Sequence, residues 1–567
     1  MTFLGIFAGL ACSGGDEGVP GDNASGSTVG VATGGLAAGG LATGGVVAGS
    51  GGGPGAGGTA SGTGGAVGAG GATQTGGAGG TGGGQPSGGL PGSGGLATTG
   101  GAPSAGGAAA GGTNSGGQGG TVIEGSLTLS GLTIEMNPLM SLGAYVSWTT
   151  NEATTSEVQF GEEGFTHRIV DETLTTEHRV HVVGMNADTL YNIKVISTNE
   201  SGSISDEGSH TTGGLPADLK EAELLSYDPE KSIGGWTLTN FQSGVGEVVG
   251  SDAPGIMVIL DEQAKPVWYY VHGSQNESRG DLSTEWVAAS QSVLIGAAIG
   301  ADPTEVNMEG EQIWTGLSGS GLDHHVSKLS NGNYLVIRSG STAQEIDSNN
   351  QVVWEWRLGD HFDIPQGNDW CHLNSLSLDE ASDALYFNCR WQGTFKVDRP
   401  SGDIIWFLGA DNDGVDQGDF SFGPGAHPDP QVNDSHDPEF DFQGGVIYFD
   451  NQGYTNRTPN TASFHSRVIE YELNETDHTA TVVWEFPGDF AVADSWYTDT
   501  WQSAFWGDAD ILENDNVLVT APMRGTGTQT RIFEVTRAGE VVWAMRWPDN
   551  NGSYRADRFP ALAERIQ

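Results

Sequence analysis

Between Trp370 and Arg390 the chain carries an imidazole, a carboxamide and a guanidinium within one short span: His372, Asn374 and Arg390. None of these helps a strand to bury itself, so their presence asks for a chemical reason. Similar groups recur along the chain. His325 lies eight residues before Asn333 of an Asn-Gly-Asn turn, and Asp508 lies eight before Asn516 of Asn514-Asp515-Asn516. His436 lies eight or nine before Gly444-Gly445. Arg offers planar bidentate donors, Asn a neutral donor, and a His with a free ring nitrogen can attack, so this set suits a tetrahedral oxyanion. Three imidazoles and a carboxylate also suit a metal ion. Arg390 argues against one, because a fixed guanidinium disfavours an adjacent cation. The acidic run Asp411-Asn412-Asp413-Gly414-Val415-Asp416-Gln417-Gly418-Asp419 resembles part of a calcium loop but lacks the closing Glu, and reads as a solvated loop.

These residues need elements to hold them. Two apolar runs with period two flank Asp379-Glu380-Ala381-Ser382-Asp383, which predicts a β-hairpin carrying His372 out and Arg390 back. Strict alternation puts His372 and Asn374 on one face and Cys371 on the other. From about residue 219 a β-run closing on Trp repeats at Trp268, Trp314, Trp354, Trp406, Trp484 and Trp543, and there is no sustained helical periodicity. Units of that size predict a six-bladed β-propeller over 217–567, whose inner strands bring repeat-equivalent residues together at a central channel. Residues 122–216 alternate in short runs such as Ala144–Trp148 and Tyr191–Val195, and are similar to a fibronectin type III or immunoglobulin-like sandwich with a corner tyrosine at Tyr191. The fold class is therefore all-β.

Of the 93 glycines, 49 precede residue 121, and no charged residue lies between Asp22 and Glu124. Such a tract cannot offset its ordering entropy, so 13–121 reads as a disordered tether. Residues 1–12 end in small residues and a cysteine and resemble a bacterial lipoprotein signal with Cys12 as the lipidated residue, although they lack a basic start. The expected location is the cell envelope, with membrane contact through a lipid anchor only, or else the periplasm or the outside of the cell. The net charge of −49 sits almost wholly in 124–567 and repels nucleic-acid phosphates, so no nucleic-acid partner is expected. Cys371 and Cys389 are the only other cysteines, and a cross-strand disulfide or two buried thiols both fit.

One resemblance gathers these features. His372-Leu-Asn-Ser, then Arg390-Trp-Gln-Gly-Thr-Phe-Lys-Val-Asp398 and Gly402-Asp-Ile-Ile-Trp406-Phe-Leu-Gly409, resemble bacterial arylsulfate sulfotransferases. So do Ser435-His436-Asp437 ahead of Ile447–Asn451, and Asp323-His324-His325. The resemblance implies ping-pong transfer of a sulfuryl group from an aryl sulfate to a phenol through a sulfohistidine, with no cofactor. It implies His436 as nucleophile, with His325, His372, Asn374 and Arg390 binding the sulfuryl oxygens. His324 or His325 as ligand, and Asp508 or Ser503 as the last blade's contribution, stay open, as does a homodimer. A non-catalytic propeller that binds sulfated or phenolic ligands or a protein partner is the alternative. A metallohydrolase, sensitive to chelators, is a third reading.

Overall fold

The computed structural model describes residues 126–243, 255–272, 283–296, 302–316, 322–362, 370–409, 418–423, 431–432, 434–452, 454–455, 458–459, 466–487, 503, 505–522 and 529–566. Cys12, the tether and residues 411–417 of the acidic run lie outside the described residues. The chain is all-β there, with one short 3-10 turn, Leu358–Asp360.

Strands Leu129–Met136, Ala144–Gly161, His167–Val182, Leu190–Asn199 and Gly202–Thr211 pair antiparallel. Ala144–Gly161 alternates buried and half-buried positions along most of its length, and this period seats Trp148, Val158 and Phe160 in one core. The Asn186 backbone N–H donates to the Tyr191 hydroxyl at 2.9 Å, clamping the turn before Leu190. Glu564–Arg565 adds a strand against His167–Arg168, so the chain's last strand returns to its first sheet. The same core takes in Trp236, Trp268 and Val293, which joins this module to the strands that follow.

Those strands build successive antiparallel sheets. Trp236–Ser243, Gly255–Leu260 and Pro266–His272 form the first, Thr284–Val287 to Gln312–Thr315 the second, and Leu322–Lys328 to Val352–Arg357 the third. Leu373–Asp379 to Ile404–Gly409 form the fourth; here Leu378 faces Leu385 across the expected hairpin. Ser435–Phe440, Gly445–Asp450, Arg467–Asn474 and Thr479–Phe486 make most of the fifth, and Asp508–Ile511 to Val541–Arg546 most of the sixth. Glu223–Tyr227 closes the sixth sheet against Val541–Arg546, and Ala556–Phe559 closes the first against Trp236–Thr239. First strands of neighbouring sheets touch in sequence order, and Ala556–Phe559 touches Thr284–Val287, giving a propeller-like arrangement.

The repeated tryptophan has a physical role in this arrangement. The indole N–H of Trp268 donates to the Met308 carbonyl, Trp354 to Arg399, Trp484 to Arg537 and Trp543 to Glu262, each on the following sheet or, for the sixth, on the first. One donor thus links each of these sheets to its neighbour.

Candidate functional site

Breaks in the first strands, rather than regular pleating, aim the site residues. The ladder slips between Asp323 and Val326, between Leu373 and Ser375, and between His436 and Glu439. His324, His372, Asp434, Asp437 and Trp506 hold φ values of 51°, 53°, 62°, 40° and 62°. Bulges re-aim side chains, and left-handed non-glycine residues cost energy that only a well-determined surrounding sustains. The strict alternation expected across 371–374 therefore does not hold, because Asn374 falls in the bulge. The Arg390 N–H donates to the His372 carbonyl at 3.1 Å, and Cys371 and Cys389 form a disulfide beside that bond.

His436 is 1 % exposed. Its Nδ1 lies 2.7 Å from Asn451 Oδ1, while Asn451 Nδ2 donates to the carbonyls of Ser503 and Trp506, both at 2.7 Å. With its amide group spent on two carbonyls, Asn451 offers only an acceptor, so His436 carries its proton on Nδ1. The lone pair is then on Nε2, which receives a long bond of 3.3 Å from the Trp506 N–H. Burial first, then Arg390, push the His436 pKa well below its ordinary 6.5, so the ring is neutral at pH 7. Gly507 lets this segment approach: a Cβ there would stand 2.3 Å from the Phe449 ring.

Arg390 Nε is ion-paired with Asp434 Oδ1, and its guanidinium lies 4.3 Å from the Trp391 ring centre. Asn374 Nδ2 donates to the Ser435 carbonyl at 2.9 Å, and Asn374 Oδ1 accepts from Asn388 at 2.9 Å. Asn374 thus fixes the residue before His436 as well as standing near it. His372 and His324 rings meet edge to face at 5.1 Å, and His372 also meets Trp391 at 5.6 Å. Tyr554 approaches both His324 and His436, at 6.4 and 6.2 Å.

His325, favoured by spacing, is placed differently. Its Nδ1 is 3.0 Å from Arg555 Nη1, which can only donate, so His325 carries its proton on Nε2. Burial and then Arg555 hold its pKa well below 6.5. Arg555 also donates to the Asn374 carbonyl at 2.8 Å and pairs with Asp437 at 2.7 Å. The histidine that joins His372 and His436 is therefore His324, while His325 serves the Arg555 side.

Asp508 Oδ2 accepts the Ala556 N–H at 3.1 Å. Burial, then neighbouring Asp437, push its carboxyl well above the usual range, so it does not bring the full charge that would repel a sulfate. Ser503 is fully buried and contributes its carbonyl to Asn451. Further along the first strands, burial chiefly raises Glu439 to about 7, Asp557 to about 7 and Glu285 to about 8. Sequence reasoning missed Asn451, Asp434, Arg555 and Trp506 as members of the site. Only Asp434 and Asn451 left a signal, as a polar residue two places before His436 and one directly after an apolar strand.

No curated protein matches the chain. Among solved structures, a protein of unknown function from Bacteroides caccae is 12 % identical over 57 % of this chain and 99 % of its own, with a TM-score of 0.35. BamB from Moraxella catarrhalis is 11 % identical over 62 % and 93 %, TM-score 0.28. A quinonprotein alcohol dehydrogenase-like protein from Bacteroides thetaiotaomicron is 10 % identical over 74 % and 95 %, TM-score 0.33. Likenesses this weak say nothing of chemistry. The model of one family, described as arylsulfotransferase (ASST), matches residues 237–555, which hold every site residue named above. The chain belongs to the arylsulfotransferase family.

Proposed function

We propose that this chain moves a sulfuryl group from an aryl sulfate to a phenol through a sulfohistidine at His436, inside a six-bladed propeller that follows a fibronectin type III-like sandwich. The observation that carries this reading is the Asn451–His436 bond, which leaves a neutral imidazole with its lone pair on Nε2. In the first half, Nε2 attacks sulfur, the aryl O–S bond breaks, and its electron pair leaves on the phenolate. The long Trp506 N–H bond to Nε2 must give way as the N–S bond forms. The positive charge then developing on the ring faces Asn451 Oδ1 through Nδ1–H. In the second half a phenol oxygen attacks sulfur, the N–S bond breaks, and neutral His436 returns.

Arg390 and, in place of the expected His325, His324 are the donors offered to the sulfuryl oxygens, and His372 is the group set to pass the proton between leaving and entering phenols. Positioning and electrostatics do most of the catalysis, as in phosphoryl transfer. The test is a transfer assay with 4-nitrophenyl sulfate and phenol, run on wild type and His436→Asn together. The reading expects transfer by wild type and a loss of roughly 1,000-fold or more in the variant. No transfer by wild type, or equal rates, would favour the non-catalytic propeller. The same reading puts the head at the cell envelope on a lipidated Cys12, because residues 1–12 resemble a lipoprotein signal. Incorporation of labelled fatty acid that survives Cys12→Ser would contradict that.

A further inference from the structure

Arg390 meets its ligand already neutralised. Its Nε pairs with Asp434, and the two side chains are only 6 % and 1 % exposed. Arg555 is likewise paired with Asp437 at 2.7 Å. A site built only to hold an anion would bind it more tightly without these carboxylates, because each cancels a buried positive charge.

The pairing matters for the choice between two kinds of ester. Sulfate and phosphate monoesters are both tetrahedral and nearly the same size, so shape separates them poorly. Charge separates them well. A sulfate monoester carries one negative charge, whereas a phosphate monoester has a second ionisation near pH 6 and is mostly a dianion above it. One negative charge is met by the hydrogen-bond donors of Arg390 and His324. A second has no unpaired cation among the described residues that line the site and stands beside the Asp434 carboxylate. Specificity of this kind comes from a repulsive element as much as from an attractive one.

We propose that Asp434 sets the charge of the ester this site accepts, admitting the monoanion of a sulfate ester and turning away the dianion of a phosphate ester. The proposal rests on the sulfuryl-transfer reading above and names the discriminating residue within it.

The experiment compares two near-isosteric probes at pH 8: 4-nitrophenyl methylphosphonate, a monoanion, and 4-nitrophenyl phosphate, a dianion. Affinities are measured by calorimetry on the full chain, so no turnover is needed. Wild type should bind the monoanion roughly 10- to 100-fold more tightly. Asp434→Asn should narrow or reverse that ratio through tighter binding of the dianion, and Asp434→Glu should keep it. If Asp434→Asn weakens both probes equally, Asp434 only props up Arg390 and the proposal is wrong. Should Asp434→Asn fail to fold, the wild-type ratio still decides: a dianion bound as tightly as the monoanion overturns the proposal. Probe binding with the predicted ratio but no sulfuryl transfer would sink the transfer reading alone. If neither probe binds wild type, the proposal falls, while the transfer assay alone decides the sulfuryl-transfer reading.

Discussion

An imidazole attacks sulfur well only when it is neutral and its lone pair faces the ligand. His436 meets the first condition through burial and Arg390, and Asn451 sets which nitrogen carries the lone pair. Replacing Asn451 by Leu should therefore do more than remove one bond. It frees the His436 tautomer and removes the Asn451 bonds to the Ser503 and Trp506 carbonyls. Transfer should fall roughly 100-fold, mostly in kcat, while the affinity for an aryl sulfate analogue changes little. Unchanged kcat would separate Asn451 from the chemistry. The sequence made His436 visible through its spacing to the following strand, and Asn451 through its place after Ile447–Asp450. What it hid is the contact between them, because Ser503 and Trp506, whose carbonyls hold Asn451, reach this point only in the folded chain. The choice between His324 and His325 was hidden for a different reason. Spacing counts residues along a regular strand, and the slip between Asp323 and Val326 releases both histidines from the ladder.

At the scale of elements, the hairpin Leu373–Asp379 with Ala384–Cys389 is the part most open to reading from sequence. Period-two apolar runs around a polar turn leave few other folds. The bulge at Asn374 was not readable, since no Gly or Pro marks it. The Cys371–Cys389 disulfide closes the base of this hairpin, beside the backbone bond from Arg390 to His372. Its sequence separation of 18 predicts a contribution of about 3 kcal/mol through restriction of the unfolded chain. The double variant Cys371→Ser, Cys389→Ser should melt at lower temperature and lose part of its transfer rate, as His372 and Arg390 gain freedom relative to each other. Melting curves that superimpose on wild type would show that the sheet alone fixes the hairpin. The closing strands Glu223–Tyr227 and Glu564–Arg565 were not visible, because segments of five and two residues carry no pattern.

Across the whole molecule, a strongly acidic chain also lines the inside of its ring with carboxyls. Glu285, held at about 8 mainly by burial, is one of them. Between about pH 4.5, its ordinary value, and 8, the folded state keeps a proton that the unfolded state releases. Stability from this group is therefore present at acid pH and is lost as pH rises through that window. Glu285→Gln removes the titration. Its melting temperature should match wild type near pH 4.5 and exceed it at pH 8, by up to a few kcal/mol in stability. A difference independent of pH would show that Glu285 keeps its ordinary pKa. The all-β class and the repeat were legible because one tryptophan marks each unit, and in four of the units it donates between sheets. The site is the product of that ring, since His324, His372 and His436 belong to three different sheets. The most direct test of the account is the mass of the peptide carrying His436 after exposure to an aryl sulfate with no acceptor present. The account predicts a gain of one sulfuryl group on His436, lost again when a phenol is added. An unlabelled His436 in a protein that still transfers sulfuryl groups would contradict it.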